Sequence, residues 1–170
     1  MANTYKTIAS VTVGSGGASD IDFTSIPQTY TDLLLVCSTR LSASGIEALD
    51  MRFNNDTGSN YSYRYIQGTG SGITGGAATA TSFDEAMVTN GNSSTANTFS
   101  NSSLYIPSYR SSNYKSFSLD TVEEENATAA YMRLEAGLWN STAAITSIKI
   151  YGSTSFAQYT TATLYGINNS

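Results

Sequence analysis

The sequence contains no histidine and one cysteine, Cys37. The lack of histidine removes the commonest general base, the serine–histidine–aspartate arrangement and most zinc sites. A lone cysteine excludes an intrachain disulfide, and we expect Cys37 to be a small buried apolar residue. Two carboxylates distant in sequence could still form a glycosidase site, but no pair stands out. We therefore predict that the chain is not an enzyme and holds no cofactor and no metal.

Charged residues are also scarce, at 12% of the chain, and the net charge is −5. The eight lysines and arginines are scattered, so we expect no nucleic-acid binding. No apolar run approaches the roughly 18 residues of a membrane helix. The start, MANTYKTIAS, lacks the charged-then-apolar order of a signal peptide. We expect synthesis in a cytoplasm, no membrane contact, and a polar, weakly ionic surface of the kind common in extracellular and virion β-proteins.

What the sequence does contain is a period-two alternation of apolar and polar residues, with turn clusters of Gly, Asn and Ser between the alternating segments. Many short strands at even spacing favour one all-β domain over residues 1–170, an antiparallel β-sandwich with a jelly-roll-like arrangement. The predicted strands lie at about 4–13, 20–24, 32–40, 46–53, 61–67, 83–89, 98–106, 115–122, 129–139, 144–151 and 159–166.

Two strands carry specific expectations about burial. The run from Leu33 to Cys37 is apolar on both faces, which predicts cover by the opposing sheet and by a loop or neighbouring subunit. In the strand at 129–139, the apolar set is Met132, Leu134 and Ala136. It alternates with charged residues, so we expect it to face the core.

Residues 68–78 are rich in glycine and low in complexity. Such a segment has too little apolar surface to fold alone, which predicts a flexible loop or one ordered by a partner. We take this loop as a candidate contact site, with positions Gly70, Gly72, Ile73 and Gly75.

Aromatic residues provide the other candidate site. Tyr61, Tyr63 and Tyr65 alternate and so line one face of a strand. An exposed row of this kind can stack on sugar rings or form a protein interface, and a buried row would fill the core. We place Trp139 with the three tyrosines as a candidate interface or glycan-stacking residue.

Four segments together resemble a known family. These are IDFTSIPQTYTDLLLV, NNDTGSNYSYRYIQGTG, AGLWNSTAAITSI and TTATLYGI, which begin at residues 21, 54, 136 and 160. They are similar to small structural proteins of tailed phages, including cyanophages, and the resemblance extends over nearly the whole chain. The resemblance implies an all-β, jelly-roll-like virion protein, with members assigned to the head or to the tail, and it transfers no catalytic residue.

The expected function follows from this resemblance and from the compact single domain. We expect a capsid decoration or cement protein in the virion, a homo-oligomer with the trimer as the favoured state, that clamps subunits of the major capsid protein or other virion proteins by burying surface. The alternative is a tail or tail-fibre module in which the tyrosine row binds host-surface glycans.

Overall fold

The computed structural model describes residues 4–126 and 130–168. Within these ranges the chain is all-β and forms an antiparallel sandwich of two sheets, which confirms the predicted fold class. No helix among these residues is long and apolar enough to cross a membrane. The strands are β1 (Tyr5–Thr12), β2 (Ala18–Phe23), β3 (Asp32–Thr39), β4 (Glu47–Phe53), β5 (Tyr61–Gly68), β6 (Ile73–Thr81), β7 (Asp84–Thr89), β8 (Ser100–Ile106), β9 (Lys115–Glu124), β10 (Ala130–Trp139), β11 (Ile148–Phe156) and β12 (Thr161–Ile167).

The two sheets differ in width. The wide sheet has eight strands in the order β1-β12-β3-β8-β9-β10-β5-β6, and the narrow sheet has four in the order β2-β11-β4-β7. Strand β7 of the narrow sheet packs against β8, β9, β10 and β5 of the wide sheet. The edge strand β6 extends beyond this cover and is exposed or half-buried along its length.

The core lies between the sheets and is built by strict alternation. In β9, Phe117 and Leu119 face inward, while the alternate residues Ser116, Ser118 and Asp120 face solvent. The Phe53 ring meets the Phe117 ring edge-on with 5.4 Å between centroids, and Trp139 packs on Phe53 at 5.7 Å. The Phe117 ring also covers Gly137 so closely that a Cβ there would lie 2.0 Å from it.

Strand β3 is buried on one face rather than on both. Leu33, Leu35 and Cys37 face the core, as expected for the thiol, whose pKa burial raises to about 12. Val36 on the other face is 40% exposed. The predicted cover of this face by a loop is therefore wrong, and cover by a neighbouring subunit stays a prediction.

The glycine-rich segment 68–78 is not a loop. Gly68 ends β5, a short turn follows in which the Thr69 amide donates to the Gly72 carbonyl, and β6 begins at Ile73. The loop prediction is wrong from Ile73 onward, because a strand at a sheet edge needs backbone partners rather than large side chains. On the neighbouring strand β5, the Tyr65 ring lies over Gly76 and occupies the space that a side chain at position 76 would need.

Candidate interaction surface

Strand β10 presents its two kinds of side chain in the reverse of the expected order. Arg133 and Glu135 face the space between the sheets and are almost fully buried. Met132 and Leu134 face solvent. The sequence-based assignment of the apolar set to the core is therefore wrong, and two questions follow: what stabilises the buried charges, and what the exposed apolar side chains contact.

The buried charges form a compact cluster with β7. The Arg133 guanidinium donates from Nε to Oε2 of Glu135 at 3.0 Å and from Nη2 to the backbone carbonyl of Glu85 at 2.6 Å. Its Nη1 lies 3.5 Å from the Glu85 carboxylate. The guanidinium also sits 3.7 Å from the centre of the Tyr65 ring, a cation–π contact. Arg133 is thus paired and hydrogen-bonded on every side, as a buried charge requires.

Asp84 completes this cluster as an acid rather than as an anion. Among the described residues neither oxygen of Asp84 nor Oε1 of Glu135 has a hydrogen-bond partner, and a buried carboxyl without a donor beside a second carboxyl favours the protonated form. Burial, followed by the neighbouring Glu135, raises the pKa of Asp84 to about 10. Burial also raises the pKa of Glu135. The cluster connects β7 of the narrow sheet to β10 of the wide sheet.

A second buried carboxyl lies further along the wide sheet. Asn90 donates from Nδ2 to the Glu123 carboxylate at 2.5 Å. Burial, together with the nearby Glu125 and Glu124, raises the pKa of Glu123 to about 7. This polar end of the core, like the Asp84 cluster, joins the two sheets.

The reversed strand has a simple cause. Trp139 is 2% exposed and packs in the aromatic core. Strand β10 runs from Ala130 to Trp139 in unbroken register with β9 and β5. Because side chains alternate, burying Trp139 places Gly137, Glu135 and Arg133 on the inner face. The position of the only tryptophan was the signal that could have revealed this arrangement.

The consequence is an apolar surface on the outside of the wide sheet. We call it the outer patch and define it by five exposed side chains. Their exposed fractions are 76% for Ile73, 64% for Met132, 59% for Leu134, 54% for Ile66 and 44% for Val122. A contiguous exposed apolar patch of this kind commonly marks an interaction site.

Strand pairing makes the outer patch continuous. Leu134 is directly opposite Ile66, and Met132 is directly opposite Val122. On its other side Met132 is opposite Gly68, which in turn is opposite Ile73. Because Gly68 has no side chain, a shallow depression of about 350 Å³ lies between Met132 and Ile73. Directly opposed side chains on one face are close neighbours, so the five residues form one surface across β6, β5, β10 and β9.

Opposite charges flank the outer patch. Arg64 lies on β5 and is exposed, although its Nη1 donates to the backbone carbonyls of Tyr63 and Ala78 at 2.7 and 3.1 Å. Asp120 lies on β9, opposite Leu134, and is also exposed. An apolar centre with a charged rim is the usual composition of a protein–protein interface.

The predicted aromatic site is core. Tyr61 is buried, and its hydroxyl accepts a hydrogen bond from the Phe53 amide at 2.9 Å. The Tyr63 hydroxyl donates toward Glu85, and Tyr65 covers Gly76 and Arg133. The Trp139 indole donates to Asp56 at 2.7 Å. Tyr61, Tyr63 and Trp139 are therefore buried and Tyr65 is half-buried, which agrees with the core alternative and contradicts an exposed platform.

All four predicted contact positions are exposed. Ile73 belongs to the outer patch, and Gly70 and Gly72 lie in the exposed turn beside it. Gly75 lies opposite Ile66 at the sheet edge. Over the described ranges, no group of three or more His, Cys, Asp and Glu side chains is placed to hold a metal ion.

The chain matches no protein-family model, no curated protein and no solved structure.

Proposed function

We propose that the chain is a structural protein of a phage particle that decorates the capsid and clamps neighbouring capsid subunits through the outer patch. One observation carries the proposal: β10 buries Arg133 and Glu135 and exposes Met132 and Leu134. Burying charges while exposing apolar side chains disfavours an isolated chain, and a partner that covers the exposed face offsets the difference.

The assignment to a phage particle is supported by the sequence resemblance in four segments. The outer patch supports a role in binding to a protein surface. A rigid sheet face is suited to this role because it presents its side chains at fixed positions and loses little conformational entropy on binding. A standard protein interface buries about 800 Å² on each partner, so the outer patch forms its centre and the polar residues around it form the rim.

Binding to the assembled shell also explains how such a protein stabilises a particle. A protein that contacts two subunits at once binds the assembled state and not the separate subunits, so it stabilises assembly by mass action. The acidic net charge of −5 predicts a capsid surface that is neutral or basic where the outer patch sits.

The test uses capsids assembled without this protein, to which the purified chain is added back. Leu134→Glu places a charge at the centre of the outer patch, where it is exposed and disturbs no core contact. We expect capsid binding to weaken by at least about tenfold, because the carboxylate would be desolvated on docking. Ser116→Glu is the matched control, since it adds the same charge to an exposed position of the same sheet face. Equal binding by the two variants would contradict the proposal.

The burial of Tyr61, Tyr63 and Trp139 argues against the glycan-binding alternative. The tyrosines and Trp139 are turned toward the core. A glycan array on the purified chain still separates the two functions, because a decoration protein is expected to bind to no host polysaccharide. Counting copies per particle separates them independently: hundreds indicate decoration, and a few dozen or fewer indicate a tail component.

A further inference from the structure

The described residues form four sheet edges, and three of them are protected against pairing with another chain. Edge strand β1 carries Lys6, β2 carries Asp20 and Asp22, and β7 carries Glu85. Each of these strands also has a register irregularity with its neighbour. Charged side chains and bulges are the usual means by which proteins keep free edges from pairing.

The fourth edge, β6, lacks this protection over most of its length. Its sequence ITGGAATAT has no charged residue and no proline, and no charged residue occurs anywhere from position 68 to 82. It keeps unbroken register with β5 from Ile73 to Thr79, and the only irregularity falls at Ala80, next to the end of the strand. An uncharged strand of this length with a free edge is a ready template for another strand.

The turn before β6 determines which backbone groups face the free edge. Because the Thr69 amide donates to the Gly72 carbonyl, the next pair, Gly68 and Ile73, does not exchange hydrogen bonds. Alternate residues then follow the same rule along the strand. The residues whose N–H and C=O groups point away from β5 are therefore Ile73, Gly75, Ala77 and Thr79.

We infer that β6 pairs antiparallel with β6 of a second copy of this chain. The two-fold axis that relates the copies passes midway between their Gly76 residues. In this register Ile73 lies opposite Thr79 of the other copy and Gly75 lies opposite Ala77. All four outward-facing residues then exchange both of their backbone hydrogen bonds, whereas a shift by two residues leaves some of them unpaired. A two-fold contact is self-complementary and closes at a dimer.

Charge and side-chain size identify a second copy as the occupant. The chain carries a net charge of −5, so two copies repel each other wherever acidic residues meet, and the uncharged segment 68–82 is where that repulsion is smallest. The centre of β6 holds glycines and alanines, which offer no steric obstacle to a neighbouring strand. Pairing also extends the outer patch, because Ile73 lies at the edge and the patches of the two copies become parts of one continuous face.

The inference goes beyond the proposed function and does not depend on it. A dimer formed through β6 could exist in solution whether or not the chain binds capsids. It also differs from the trimer expected from the sequence, which would need a different contact.

The first experiment measures mass in solution as a function of concentration. We expect a species of twice the 18.0 kDa chain mass that dissociates on dilution. Ala77→Pro removes one outward-facing N–H without removing a hydrogen bond to β5, and we expect dimer dissociation to become at least about tenfold easier. Ala77→Ser keeps the N–H and should dimerise as the parent does. A mass of one chain at all concentrations would overturn the inference.

The second experiment tests the register with two cysteine variants. Opposed residues in antiparallel strands lie about 4.5 to 5.5 Å apart, which suits a disulfide. A mixture of Ile73→Cys and Thr79→Cys chains should therefore crosslink under mild oxidation, while either variant alone should not. Cys37 does not compete, because it is buried. A dimer that survives Ala77→Pro and gives no crosslink in the mixture would assign the contact to another surface and overturn the inference.

Discussion

At the scale of single residues, neighbouring strands are fitted together through glycines that lie under aromatic rings. Gly137 on β10 is opposite Phe117 on β9, and the ring occupies the space that a side chain at position 137 would need. The contact places Phe117 edge-on against Phe53 in the core. Gly137 is therefore required for the packing of the aromatic cluster that Phe117 forms with Phe53 and Trp139.

Gly137→Ala should destabilise the fold by about 1–3 kcal/mol, because the new methyl group overlaps the Phe117 ring and forces it to move. The free energy of unfolding from urea denaturation measures this effect. Gly72→Ala is the control, since a Cβ there meets no atom within 4 Å, and it should change stability by less than about 0.5 kcal/mol. Equal stability of the two variants would show that the ring moves aside freely.

The buried acid Asp84 gives a second residue-scale prediction, for pH. Its folded-state pKa of about 10 lies above the value of about 3.8 of an ordinary aspartate, so the folded chain binds more protons than the unfolded chain between those values. The free energy of unfolding should therefore fall as the pH rises through this window, with a slope of up to about 1.4 kcal/mol per pH unit for one proton. Glu123, with a pKa of about 7, adds to the fall at the acidic end of the window.

Asp84→Asn should reduce this slope, because an amide can donate to Glu135 without releasing a proton as the pH rises. Urea denaturation at about pH 5, 7 and 9 measures the slope. Asp120→Asn is the control, because it changes an exposed carboxylate on the outer face of the wide sheet. It should leave the slope unchanged. A slope in Asp84→Asn equal to that of the parent would show that Asp84 is not the group that holds the proton.

At the scale of the element, β10 separates two functions between alternate residues. Its inner face joins the sheets through Arg133, and its outer face supplies Met132 and Leu134 to the outer patch. Adjacent positions in one strand should therefore respond to substitution in opposite ways.

Arg133→Ala should cost about 3–5 kcal/mol of stability, because it leaves the Glu135 carboxylate buried without its cation. Leu134→Ser, one residue away, should change stability by about 0.5 kcal/mol or less and should weaken only the binding of a partner. Thermal denaturation of both variants measures the contrast. The reverse order of effects would mean that the apolar face of β10 is the one that supports the fold.

Most elements could be predicted from the sequence because alternation is a local property. All the predicted strands correspond to observed ones. Strand β6 was missed because its glycines and alanines carry no alternation. The face of β10 was misassigned because apolarity was taken as the guide to burial, whereas the fixed position of Trp139 in the core decides which residues face inward.

At the scale of the whole molecule, the unequal width of the sheets is the feature with functional consequences. The narrow sheet covers the middle of the wide sheet and leaves β6 uncovered. The outer patch and the free edge meet at Ile73, so one region of the molecule offers both an apolar face and a strand template. A dimer joined there would present two outer patches in one plane.

Thermal stability should accordingly depend on protein concentration. If folded chains associate through β6, the midpoint of unfolding should rise as the concentration rises, because association removes folded monomer from the unfolding equilibrium. Calorimetry at concentrations about a hundredfold apart measures this shift, and Ala77→Pro should abolish it. A midpoint independent of concentration in the parent would contradict the association.

The contact between Gly137 and Phe117 also has an evolutionary consequence. Neither position can change alone without strain or an unfilled volume, but a smaller residue at 117 would make room for a side chain at 137. In related chains the two positions should therefore covary, with glycine accompanying an aromatic residue and a larger residue accompanying a smaller aliphatic one. The same coupling should link position 76 to position 65, where the Tyr65 ring lies over Gly76.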